Sequence, residues 1–267
     1  MTELADPDRP GTAWPPPAPG AAPPAKVVAA QAGLELRTLV RNGEQLLLTL
    51  IIPVLLLVVF SAGALVSVGH GRRIDFIAPG ILALAIISTS FTSLAIGTAF
   101  ERRYGVLKRL GATPLGRSGL IAAKAATVLA VEAAQGVLIV AVSLLLGWQP
   151  VVSAASVISS LVLLIVGSIS FSGLAMVMAG TLRAEATLAA ANLVYLVLLG
   201  IGGIVVPLAK FPPAIRPVLR LLPSGALSDG LRSVLKFGAG LPARDVLVLA
   251  AWAAAGIAAS ARWFRWE

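Results

Sequence analysis

The sequence predicts an all-α integral membrane protein: six transmembrane helices preceded by an amphipathic interfacial helix, with short re-entrant helices before the last span. Three observations lead there. The 267 residues are 58% hydrophobic, with a mean hydropathy of +0.93. Only 12% are charged, against about 25% in an ordinary soluble domain, too few to cover a soluble surface of this size. Six apolar segments follow one another at about 46–66, 77–98, 121–147, 157–179, 188–208 and 246–261, each near the ~20 residues that cross a bilayer as a helix. Alternating segments of barrel-strand length are absent, so the spans are helical.

Residues 1–25 carry Pro at 7, 10, 15, 16, 17, 19, 23 and 24, which forbids a helix and favours a disordered, extended tail. Glu3, Asp6 and Asp8 stand where a secretory signal would be positive, so no signal peptide is expected. Residues 26–45 form the interfacial helix. Gln31, Glu35, Arg37, Thr38, Arg41, Asn42, Glu44 and Gln45 share one half of its wheel, and Val28, Ala32, Leu36, Leu39 and Val40 the other, with Leu34 as the exception. Such a helix next to a span lies along the membrane surface. Residues 46–267 make up the six-span domain. Pro53 and Pro79 can kink or end their helices. The last span is short, extended by Leu241 and by Arg262 snorkelling, with Trp263, Phe264 and Trp266 as an aromatic belt.

Lys and Arg in the loops set the orientation. Arg102, Arg103, Lys108, Arg109 and Arg117 lie between spans two and three, whereas the loop between spans three and four holds none. Both termini are therefore expected in the cytoplasm. The net charge of +9 is topology and contact with anionic lipid rather than nucleic-acid binding. Arg outnumbers Lys 16 to 5, which with the many Ala, Gly and Pro points to a GC-rich bacterial genome. With no Cys, disulfides, thiolate metal sites and Cys nucleophiles are excluded, and the single His70 excludes a multi-His metal site. His70 itself is expected to be solvated in a short outer loop.

The densest charge follows span two directly, in Glu101-Arg102-Arg103-Tyr104-Gly105-Val106-Leu107-Lys108-Arg109-Leu110-Gly111-Ala112-Thr113-Pro114-Leu115. Val106, Leu107 and Leu110 have helical spacing, and Thr113-Pro114 ends the helix. This is a short docking helix for a cytoplasmic partner, or a loop whose charge only fixes topology. The stretch resembles the loop after the second span of export-type (type-2) ABC transporter permeases, the drug and antibiotic resistance group that includes the daunorubicin exporter permease. The order of elements over about residues 27–262 is similar, as is Leu222-Pro223-Ser224-Gly225-Ala226-Leu227-Ser228-Asp229-Gly230-Leu231-Arg232.

The resemblance implies a half-transporter in the bacterial plasma membrane, paired with a second permease copy or a paralogue and with two ATPase subunits. Residues 101–115 would be the coupling helix, with Glu101 anchoring the end of span two. Arg102, Arg103, Lys108 and Arg109 would contact the ATPase or lipid head groups, alongside Gly105, Leu107, Leu110, Thr113 and Pro114. ATP and Mg would bind on the partner chain and no cofactor on this one. A phosphate-cradling loop needs a Gly-Lys pair, and the sequence has none.

The segment from Lys210 to Arg244 is long for a loop. Leu227, Leu231, Val234 and Leu235 recur at helical spacing, with Ser228, Asp229, Arg232 and Lys236 elsewhere, which suits short helices dipping into the outer leaflet. Inside the spans, Lys124 and Glu132 lie two turns apart, with Gln135 beside Glu132. Lys124 can snorkel to the cytoplasmic face. Glu132, Gln135 and, in span five, Asn192 are the substrate-path candidates, each of which could instead bond between helices. Gly200, Gly202 and Gly203 permit close helix contact or a bend. So few polar groups suit an amphipathic, drug-like or lipidic substrate. The competing classes are an ion-coupled secondary carrier, which would need internal repeats and several intramembrane carboxylates, and a lipid-modifying membrane enzyme, which would need clustered acids or His at one interface.

Overall fold

The computed structural model describes residues 22–41, 43, 47–62, 72–113 and 115–264. Expectations for the tail before residue 22 and for Asn42, Glu44, Gln45, His70, Pro114 and Trp266 lie outside the described residues. Ten helices are described: α1 (Pro24–Arg41), α2 (Ile52–Ala62), α3 (Arg73–Arg103), α4 (Val106–Gly111), α5 (Gly116–Leu145), α6 (Ala154–Thr181), α7 (Ala184–Ile201), α8 (Arg216–Leu221), α9 (Pro223–Phe237) and α10 (Ala243–Trp263). No strand occurs among the described residues. Five helices, α3, α5, α6, α7 and α10, are long and apolar enough to cross a membrane, and Thr49–Ala62 is a shorter apolar helix.

Two boundaries differ from expectation for backbone reasons. The fifth apolar segment continues to 208 in sequence, but α7 stops at Ile201. Gly203 has φ +72, and a side chain on Gly202 would meet Ser224 Oγ at 2.6 Å. The chain turns inward there and buries Ile204 and Val205. Pro79 does not end α3: the helix runs through it from Arg73 to Arg103.

The most apolar stretch of α3 is almost wholly buried, whereas those of the other four long helices turn most of their residues outward. It is the axis of the fold. Phe91 at its middle meets Phe171 of α6 edge-on, with ring centres 6.4 Å apart. Between Ile87 and Ser93 the helix widens into a π turn, and a second π turn, Leu47–Ile51, leads into α2. Such turns are rare and concentrate at functional sites.

α1 lies against α5 and buries Ala32. Leu34, out of pattern in the sequence, is 60% exposed. The basic segment before the last span does fold into short helices, α8 and α9. Pro223 opens α9 at a position where its missing N–H costs nothing, and Gly238 closes it at φ +65. Its apolar residues Leu227, Leu231 and Val234 are buried against α3, α6 and α10, and so are Ser228 and Arg232, which the sequence pattern placed off that face.

α10 crosses α6 at two glycines. A Cβ on Gly173 would lie 3.1 Å from Gly256 Cα, and one on Gly256 would lie 3.0 Å from Gly173 Cα. Small residues let membrane helices approach this closely. Gly173→Leu is expected to push the pair apart and to destabilise the detergent-solubilised protein by about 1–3 kcal/mol. Thermal unfolding checks this, and an unchanged midpoint would refute the crossing.

Candidate functional site

The polar end of α3 is wired into four other helices. α3 ends at Arg103, and Gly105 at φ +69 turns the chain into α4. Thr113 Oγ1 donates to Leu110 O at 2.6 Å and closes that turn. Leu107 of α4 is 1% exposed. It packs with Leu115 and Leu120 of the following segment, and Val27, Val28, Leu110 and Phe264 surround that cluster. Phe264 is thus engaged with α4, while its neighbour Trp263 is exposed.

The charged residues of this segment face different ways. Glu101 meets the Lys124 ammonium at 2.6 Å, and Glu35 of α1 stands 3.8 Å from the same nitrogen. Lys124 is therefore buried between two carboxylates and does not snorkel, because α1 and the end of α3 close over it. Arg102 donates to Gly180 O at 2.5 Å and to Leu182 O, where the last carbonyls of α6 lack partners within the helix. Arg103 pairs with Glu185 in the first turn of α7. Lys108 and Arg109 on α4 are exposed.

At mid-span, Glu132 is 8% exposed and accepts a hydrogen bond from Ser168 Oγ of α6 at 3.0 Å. Gln135, one turn on, faces elsewhere. Its Nε2 donates to Thr49 O at 2.5 Å, and its Oε1 accepts from Thr89 Oγ1 at 2.8 Å. The cause is legible. Pro53 has no N–H to offer the carbonyl four residues back, that carbonyl is Thr49 O, and Gln135 supplies the missing donor. Thr49 and Thr89 belong to the two π turns, so Gln135 ties both together. Asn192 is exposed on α7, apart from this pair. The three path candidates do not meet: Glu132 turns to α6, Gln135 to the two π turns and Asn192 outward.

Sequence reasoning gave Arg232 no role. It is 5% exposed. Its guanidinium lies 3.8 Å from the Phe76 ring centre and donates to Phe76 O at 3.1 Å and Ile204 O at 2.7 Å. Asp229 Oδ1 accepts at 3.4 Å. One residue thus joins α9, the start of α3 and the turn after α7. Burial lowers the guanidinium to about 10, with Asp229 working against that fall, so it stays charged at neutral pH. A side chain at Gly80 would collide with Ile204 O at 2.3 Å and with the guanidinium at 2.7 Å, which is why a glycine stands in α3 there. The available signal was position on the wheel, where Arg232 borders the apolar face beside Leu235 rather than opposing it.

Two cavities, of about 720 Å³ and about 540 Å³, lie along the seam between α5 and α6. No curated protein matches the chain. The family model for ABC-2 type transporters matches residues 32–236, which run from α1 through most of α9 and amount to well over half the chain. With its long apolar helices, this marks a multi-pass membrane component of a transporter, of a kind that works with a partner ATPase. The chain belongs to the ABC-2 type transporter family.

Proposed function

We propose that the chain is the permease half of an ATP-driven exporter in a bacterial plasma membrane. Thr49–Ala62 supplies the sixth span, α1 lies along the cytoplasmic interface, α8 and α9 dip into the outer leaflet, and both termini are cytoplasmic. Two permeases, identical or paralogous, bind two ATPase subunits, which hold the ATP and Mg. Residues 101–115 receive the ATPase, and an amphipathic drug-like or lipidic substrate leaves through the spans. The single observation that carries this reading is the wiring of the α3–α4 end. α4 shows Lys108 and Arg109 outward and is packed through Leu107 against α1 and α5, while Glu101, Arg102 and Arg103 on the last turn of α3 just before it reach α1, α5, α6 and α7. A displacement of α4 therefore moves every one of them.

Because Glu101 faces inward, a docking test is better placed on the outer charges. The double variant Lys108→Glu with Arg109→Glu is expected to lose at least tenfold in co-purification with its partner ATPase, while its unfolding midpoint stays at the wild-type value. Unchanged co-purification and unchanged export would sink the docking role.

A further inference from the structure

The two cavities on the α5–α6 seam are separate but adjoining. The larger lies toward the turn joining the helices and reaches Trp148; the smaller lies toward the α4 end and reaches Lys124 and Phe264. Leu129 and Ile165 wall both. Glu132 lines the larger and Ser168 the smaller, so their hydrogen bond crosses the partition.

The larger cavity has the character of a built site. Its volume of about 720 Å³ falls within the ~300–1,000 Å³ of small-molecule pockets. Its wall is almost entirely apolar, and among the described residues Glu132 is the one ionisable side chain that lines it. Lys124, which lines the smaller cavity, is already held by Glu101 and Glu35, and no cation among the described residues lines the larger cavity to balance Glu132. A carboxylate in such a wall is costly unless a counter-charge meets it. Two further polar groups line the same cavity without hydrogen-bond partners among the described residues, Ser160 Oγ and Trp148 Nε1. Both residues are at least nine-tenths buried. Val137 and Leu161, also in the lining, are 72% and 52% exposed, so between two membrane-spanning helices the cavity opens sideways toward lipid.

We propose that this cavity binds an amphiphile with an apolar body and a single basic nitrogen, the nitrogen meeting the Glu132 carboxylate. The ligand enters from the bilayer, where its apolar body already resides, and exchanges lipid for the α5–α6 wall at little cost. The charge pair forms where water is scarce and the attraction is least screened. As the identity of the exported cargo this rests on the permease reading. As a binding site within one chain it does not.

The test uses the full-length protein in phosphatidylcholine nanodiscs and two rod-shaped fluorescent probes. One is diphenylhexatriene, uncharged; the other carries a trimethylammonium group on the same rod. With the other four tryptophans replaced by Phe, energy transfer from Trp148, which lines the cavity, reports binding, and empty discs report partition into lipid. Saturable transfer is expected for both probes, at least tenfold tighter for the cationic one. Glu132→Gln is expected to abolish that difference. Gly136→Phe is expected to abolish saturable binding of both, because Gly136 lines the cavity and a Cβ there meets nothing within 4 Å, so the ring fills the space without displacing backbone. Equal affinity for the two probes in the wild type, or a wild-type curve in Gly136→Phe, would overturn the proposal. Probe binding is measured without ATPase and co-purification without probe, so failure of this site and failure of the docking reading are distinguished.

Discussion

Replacing Arg232 with Met is expected to destabilise the detergent-solubilised permease by about 3–5 kcal/mol, the cost of removing one partner from a buried charged network. Met roughly fills the volume but offers no donor. Ile204 O loses its 2.7 Å bond and Phe76 O its 3.1 Å bond, in a place where Gly80 leaves no room for a substitute. Arg232→Lys is expected to recover little, since an ammonium on a single stem cannot span acceptors on α3 and on the turn after α7 as a planar fork does. The loss should also acquire a pH dependence. Burial already raises the Asp229 carboxyl above its usual 3.8, and Arg232 is the first of three arginines that pull it back. Without that pull the folded state holds the Asp229 proton more tightly than the unfolded chain does. Stability then falls as pH rises above about 4 toward the raised value, and acidification restores part of it. Equilibrium unfolding at several pH values reads both effects. A variant within about 0.5 kcal/mol of wild type, the range of an ordinary surface change, would show that the clamp does not hold the fold.

The second large effect is expected at Lys124. Lys124→Met leaves Glu101 and Glu35 facing each other across an apolar gap, with side chains 29% and 18% exposed. Their partial access to water brings the expected loss down to about 2 kcal/mol, below that of a fully buried pair. The damage should be local. α1 is held to α5 through this site and the Leu107 cluster, so its amides are expected to exchange hydrogen at least tenfold faster, with α6 and α10 unchanged. Adding Glu101→Gln and Glu35→Gln to Lys124→Met removes the stranded charges and is expected to recover most of the protection. Unaltered exchange in α1 after Lys124→Met would break the link between these helices.

Hydropathy read along the chain was enough to find the long helices, because span length and scarcity of charge are properties of sequence position. The same is true of the charged stretch after α3 and of the helices in the basic segment before α10. What hydropathy could not read is direction. Lys124 lies near the start of α5, where a chain end can reach water, and nothing in its neighbours announces that α1 and Glu101 close over it. Arg232 was one of six cations in its segment, and its partners Phe76 and Ile204 are backbone groups from distant segments. Gln135 was found as a polar residue in a span, but its task depends on the carbonyl that Pro53 leaves unpaired some eighty residues away. Asn192 has the same composition signal as Gln135 and faces outward instead, which no spacing along α7 distinguishes.

The π turn at Ile87–Ser93 has a consequence for α3 as a whole. Upstream of it, the angular phase of the helix is set by Phe76 and Gly80 against Arg232; downstream, by Glu101 against Lys124 and Arg102 against the end of α6. Each residue in an α-helix advances the phase by about 100°, and the π turn, with its wider i→i+5 ladder, absorbs the extra residue that reconciles the two settings. A chain one residue shorter there could close into an unbroken α-helix with both ends still in register, whereas a residue lost elsewhere in α3 would turn the ends about 100° out of phase. Outside that turn the length of α3 is thus a constraint in its own right: a deletion that removed no bonding side chain would still aim Glu101 and Arg102 at the wrong neighbours.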